Sequence, residues 1–254
     1  SAFDSRMLAW RRHLYRKCDA LVAPSESSAQ GLREQRMNYD IDIWSRGVDR
    51  TIFDPSNRDL AWRREQGFLD NDAVVGFTGR LVMEKGLDVF ADTIDLLERR
   101  RVAHKVLIVG EGPARAWFES RLPQAKFVGF QGGADLGRAV ASMDVFFNPS
   151  VTEAFGNVTL EAMASGVPVV AAMATGAQSL VEDRVTGRLI TPGAIQHYAD
   201  ALQSYCTQPD LRAEHGAAGE RRSLDFSWDA INQVVADTYI RLIRQHDAWA
   251  MSKR

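Results

Sequence analysis

The sequence predicts a protein of the α/β class, built on a doubly wound parallel sheet. Three observations point there. Short apolar runs recur along the chain, at residues 74–78, 106–109, 126–128, 144–147, 167–171 and 188–190, and each reads as a strand. Helical stretches fall between and after these runs, the alternation expected where crossovers join parallel strands. The runs at 74–78 and 106–109 pass directly into glycine, Gly79 and Gly110, so the chain turns at a sheet edge.

Each element has its own warrant. Residues 4–17 read as a helix, with Met7, Leu8, Trp10, Leu14 and Tyr15 as a rough apolar stripe among Arg11, Arg12, Arg16 and Lys17. Residues 20–23 form a short buried strand. Pro24-Ser25-Glu26-Ser27 opens a second helix, expected to reach about Met37. Residues 41–44 are another strand, and residues 45–55 break the pattern as a linker. The strand at 74–78 leads through Leu81-Val82-Met83-Glu84-Lys85-Gly86 into a helix from about Leu87 to Arg100. Gly110-Glu111-Gly112-Pro113 precedes a helix that ends near Arg121, and residues 135–142 form a short helix. After the strand at 144–147, Gly156-Asn157 suits a helix start. Leu160, Met163 and Ala164 then recur at helical spacing, and Gly166 is a fitting stop. Residues 174–179 read as a loop at the same sheet edge. Helices at 194–206 and 210–223 follow the last strand. Phe226-Ser227-Trp228 caps a long amphipathic helix that carries Ile231, Val234, Val235, Ile240 and Ile243.

Composition narrows the function classes. A net charge of −2 over 254 residues gives no reason to expect a nucleic-acid partner. The two cysteines, Cys18 and Cys206, have no paired spacing, and the five histidines are scattered. That argues against a disulfide framework and a zinc site, and fits a reducing cytoplasm. No apolar run approaches the roughly 20 residues of a membrane span. The basic first helix is read as a solvated face, with peripheral association at the inner face of a membrane as the alternative. The chain opens at Ser1-Ala2-Phe3-Asp4 without an initiator Met, so it is expected to be a piece of a longer protein.

The chemistry concentrates between residues 148 and 171. Glu153 and Glu161 stand eight positions apart, one before the helix start and one inside the helix. Glutamates so spaced are ordinarily solvated, so the surroundings decide. The amides around Phe155, Gly156, Asn157 and Val158 lie at a helix start, where unpaired N–H groups bind anions, phosphate above all. One loop thus offers an anion site flanked by two carboxylates that accept hydroxyls. A nucleotide sugar, a diphosphate between two polyols, has that chemistry. Arg80 and Lys85 follow Gly79 at the carboxyl end of the first strand of the main sheet, where open α/β sheets bind ligands. An Arg fork and a mobile Lys charge could offset a leaving diphosphate. A dinucleotide reading fails on detail: Gly110 and Gly112 are present, Arg115 replaces the third glycine, and no acidic residue ends the next strand.

The run Glu153-Ala154-Phe155-Gly156-Asn157-Val158-Thr159-Leu160-Glu161-Ala162-Met163-Ala164-Ser165-Gly166-Val167-Pro168 resembles the E-x7-E signature of the retaining GT-B glycosyltransferases called glycosyl transferases group 1. Gly79-Arg80…Lys85-Gly86 is similar to the family's G-R-x4-K-G, and Ser45-Arg46-Gly47-Val48-Asp49 to its interdomain linker, with Arg46 where Asn is usual. The resemblance implies a Rossmann-like donor domain over residues 47–228, the tail of an acceptor-binding domain over residues 1–46, and a crossover helix over residues 229–254. It implies that Glu153 approaches the transferred sugar and Glu161 holds the ribose. Arg80 and Lys85 would hold the diphosphate, and Gly110 would shape the nucleotide pocket. Phe130 would lie near the base. At 174–179 the family has Gly-Gly and a Glu, whereas this chain has Gly176-Ala177 and Ser179. The implied activity is transfer of a hexose from a UDP- or GDP-linked donor, with no cofactor and no metal. The acceptor, a glycan or lipid hydroxyl, would bind a part of the protein outside this chain. An epimerase that hydrolyses its donor and a non-catalytic nucleotide-sugar module are the alternatives.

Overall fold

The computed structural model describes residues 2–252; Ser1, Lys253 and Arg254, which close the expected outer segments, lie outside the described residues. The chain divides into two compact units, residues 1–47 with 226–254, and Val48–Asp225.

The larger unit is the doubly wound sheet. Its strands are β3 (Val74–Thr78), β4 (Lys105–Val109), β5 (Lys126–Phe127), β6 (Val145–Asn148), β7 (Val169–Ala172) and β8 (Gly187–Ile190). All pair in parallel, in the order β5-β4-β3-β6-β7-β8. The chain winds outward from β3 in one direction and from β6 in the other. The crevice at the carboxyl ends of these two strands is therefore the switch point, where such sheets take ligands. The helices are α3 (Leu60–Glu65), α4 (Leu87–Arg99), α5 (Arg115–Arg121), α6 (Gly133–Ala141), α7 (Asn157–Ala164), α8 (Thr175–Leu180), α9 (Ile195–Thr207) and α10 (Pro209–Ser223).

Aromatic rings fill one face of the sheet. Phe90 of α4 stacks on Phe147 of β6 at 4.9 Å between centroids and meets Phe77 of β3 edge-on at 5.7 Å. Fully burying such side chains contributes about 1.5–3 kcal/mol each. A buried charge pair joins α3 to the entrance of β6. The Arg63 guanidinium, wholly buried on α3, donates to Asp144 Oδ2 at 3.0 Å and to the Ser142, Leu69 and Asp72 carbonyls. The same Asp144 oxygen accepts from the Val74 N–H at 2.9 Å, which ties the entrance of β6 to that of β3.

The smaller unit comprises α1 (Ala2–Tyr15), β1 (Leu21–Ala23), α2 (Glu26–Glu34), β2 (Ile41–Ile43) and α11 (Trp228–Ser252). β1 and β2 pair in parallel. Ser25 caps α2 by accepting from the Ser28 N–H at 3.2 Å. On α11, Arg241 forks onto Asp40 at 2.6 and 3.0 Å, and Thr238 donates to Asp42.

Three expectations are corrected, and one helix is additional to them. The loop expected at 174–179 is the helix α8, anchored by buried Ala177 and Leu180 and by Gln178 N–H donating to Ala174 O. The helix expected to reach Met37 ends at Glu34, because Arg36 adopts a left-handed φ of 55°. β1 is buried only at Ala23; Val22 is exposed. α3 was not expected at all, because Leu60-Ala61-Trp62-Arg63-Arg64-Glu65 hides its buried arginine among ordinary charges. No helix among the described residues is long and apolar enough to cross a membrane.

Candidate functional site

A cleft of about 450 Å³ opens at the switch point. It is lined by Thr78, Gly79 and Arg80 after β3, by Val109, Gly110 and Glu111 after β4, by Phe130, Gln131 and Leu136, and by Asn157, Val158 and Glu161 of α7. Backbone constraints shape its floor. Gly110 has φ of +136°, and a Cβ there would lie 1.9 Å from the Gly79 carbonyl oxygen, so the end of β4 can come this close to the end of β3 only with glycine at 110.

α7 starts abruptly. Gly156 is left-handed at φ 95°, and no side chain caps the helix. The N–H groups of Thr159 and Leu160 reach the Gly156 carbonyl, whereas no hydrogen bond among the described residues takes up the Asn157 or Val158 N–H. Both residues line the cleft, so two amide donors and the positive end of a helix face it.

The charged groups divide between the cleft and its flank. Arg80 is exposed in the cleft and has no ion-pair partner among the described residues. Glu161, one turn into α7, is partly buried, and no group among the described residues bonds to its carboxylate. Burial first, and then the negative charge of Glu153, push its pKa up to about 7. On the flank, Lys85 Nζ donates to Glu153 Oε1 at 3.1 Å, and Asn148 Nδ2 donates to Glu153 Oε2 at 3.3 Å. Gly156 leaves room for this arrangement: a Cβ there would sit 3.3 Å from Glu153 Oε2.

Of the expected site residues, Gly79, Arg80, Gly110, Phe130, Asn157, Val158 and Glu161 line one cleft. Lys85, Glu153, Phe155 and Gly156 do not line it and lie beside it. The Phe155 ring is only 5% exposed, so this residue has no aromatic face to give a ligand. Phe130, at 78% exposure, stands out as a bare aromatic surface. The sequence reading missed Thr78, Val109, Glu111, Gln131 and Leu136. Thr78, Val109 and Glu111 adjoin the expected Gly79 and Gly110, so the rule that strand carboxyl ends bind ligands could have found them. Nothing local marks Gln131 or Leu136. Among the described residues, no cluster of His, Cys, Asp and Glu has the makings of a metal site.

A cleft of this kind at the switch point defines the ligand-binding doubly wound α/β class. Within that class, the chain belongs to the glycosyl transferases group 1 family, whose model matches residues 72–208. It is 38% identical over 226 residues to a GDP-mannose-dependent alpha-mannosyltransferase of Mycolicibacterium smegmatis, covering 88% of this chain and 57% of that protein. It is 35% identical over 223 residues to the protein of the same name from Mycobacterium tuberculosis, with the same coverage of 88% and 57%. The chain thus spans little more than half the length of these relatives. Among solved structures, Anabaena HepE in complex with UDP and glucose superposes with a TM-score of 0.77 at 26% identity, covering 88% of this chain and 64% of that one. The fold is that of the GT-B glycosyltransferases.

Proposed function

We propose that this chain is the donor-binding part of a retaining glycosyltransferase, one that moves a hexose from a guanosine-diphosphate sugar to an acceptor hydroxyl. One observation carries the reading: Arg80, the open Asn157 and Val158 amides and the unpartnered Glu161 carboxylate converge on one cleft at the switch point. Three anion-seeking donors and one hydroxyl acceptor match a diphosphate joined to a ribose. The names of the two mycobacterial relatives favour guanine, whereas HepE was solved with UDP.

In this reading the diphosphate sits on Arg80 and the α7 amides, with Lys85 swinging from Glu153 toward it. These groups take up the charge that develops as the sugar departs. Glu161 accepts from the ribose hydroxyls, and Phe130 covers the base. Glu153 orients the transferred sugar. The acceptor attacks on the face the nucleotide leaves, and the leaving phosphate takes its proton. The acceptor, a glycan or lipid, binds a part of the protein outside this chain, on the cytoplasmic side of a membrane.

Calorimetric titration with GDP, UDP and ADP tests the reading. GDP is expected to bind without added metal and more tightly than the other two. Hydrogen bonds to a charged group contribute about 1.5–3 kcal/mol, so Glu161→Ala should weaken GDP roughly tenfold or more. Equal affinity for GDP in the parent and Glu161→Ala would remove the ribose assignment, and tighter UDP would reassign the base.

A further inference from the structure

Asn148 ends β6 and is only 4% exposed, outside the cleft lining, yet its amide bonds three residues, two in the loop after β6 and one on α7. Its Oδ1 accepts from the Ser150 N–H at 3.2 Å. That bond orients the amide, so Nδ2 must face the other way. There it donates to Thr159 Oγ1 on α7 at 3.1 Å and to Glu153 Oε2 at 3.3 Å. The two oxygens of Glu153 are therefore held from opposite partners, Oε1 by Lys85 and Oε2 by Asn148.

The two partners differ in what a ligand does to them. Lys85 is a mobile point charge on a flexible stem, and a diphosphate competes with Glu153 for it. Asn148 is neutral, buried and oriented by the Ser150 N–H, so no anion draws it away. We infer that Asn148 is a positioning residue, which keeps the Glu153 carboxylate aimed at the transferred sugar once Lys85 turns to the diphosphate. The inference rests on the donor-site reading and adds a residue that touches no substrate.

The test separates the sugar from the nucleotide. GDP and GDP-mannose are titrated in turn into the parent chain, Asn148→Ala, Asn148→Ser and Thr159→Val, with thermal melts run on each. Asn148→Ser keeps a small polar group in the space and serves if the alanine variant does not fold. Neither replacement reaches Glu153. Thr159→Val removes the other Nδ2 partner and leaves the Asn148–Glu153 bond. The expected result is GDP affinity within about twofold of the parent in every variant. GDP-mannose should weaken by about five- to tenfold in the two Asn148 variants and stay unchanged in Thr159→Val. Parallel weakening of both ligands, or no change in either, would overturn the inference while leaving the donor-site reading standing. A parent that binds neither ligand would overturn both.

Discussion

Ionising Glu161 inside its partly buried site is costly, and the negative Glu153 nearby adds to the cost. The sign follows from the shift. The folded pKa is about 7, above the 4.5 of a free glutamate, so the folded state holds the proton longer than the unfolded one. Stability attributable to this group is intact below the unfolded value, falls as pH rises through the window, and is fully lost above about 7. At about 1.4 kcal/mol per pKa unit, the loss is on the order of 3 kcal/mol. Glu161→Gln should therefore leave stability near the parent's at pH 4.5 and raise it by up to roughly 3 kcal/mol at pH 8, read from urea melts. A gain that does not depend on pH would contradict this. At this scale the sequence was partly legible. The spacing of Glu153 and Glu161 around a helix start is a local pattern. The ion pair of Lys85 and Glu153 joins residues 68 positions apart, and only the sheet brings them together. Asn148 was silent for another reason: its three side-chain bonds are ones that no spacing encodes.

Secondary-structure elements were most legible where burial is complete. β3, β6 and β7 are buried at every position, so they stand out as continuous apolar runs. α3 and α8 were not legible, because each is six residues long and held by tertiary contacts rather than by an apolar stripe. α3 carries the Arg63 guanidinium that pairs with Asp144 at the entrance of β6. Removing one partner of a buried pair strands the other, at a cost of about 3–5 kcal/mol. Asp144→Ala should lower stability by that amount, as measured by chemical denaturation. A cost below about 1 kcal/mol would mean the pair does not anchor β6.

For the whole molecule, every residue lining the cleft falls within Val48–Asp225, a unit with its own sheet and core. The fragment spanning residues 48–225 should therefore fold alone and bind GDP within about threefold of the full chain, since a factor of three is under 1 kcal/mol. Loss of binding in a folded fragment would show that residues outside the unit complete the pocket. The linker expected at 45–55 interrupts the strand–helix alternation, and the larger unit begins within it, at Val48. Placement of α11 with the first unit depends on distant partners such as Asp40 and Asp42, which composition alone does not reveal. A nucleoside diphosphate in the switch-point cleft would be seen in a crystal structure of the chain grown with GDP. The diphosphate is expected on Arg80 and the Asn157 and Val158 amides, with the ribose hydroxyls on Glu161. GDP bound elsewhere on the chain, or with its ribose turned away from Glu161, would contradict this placement.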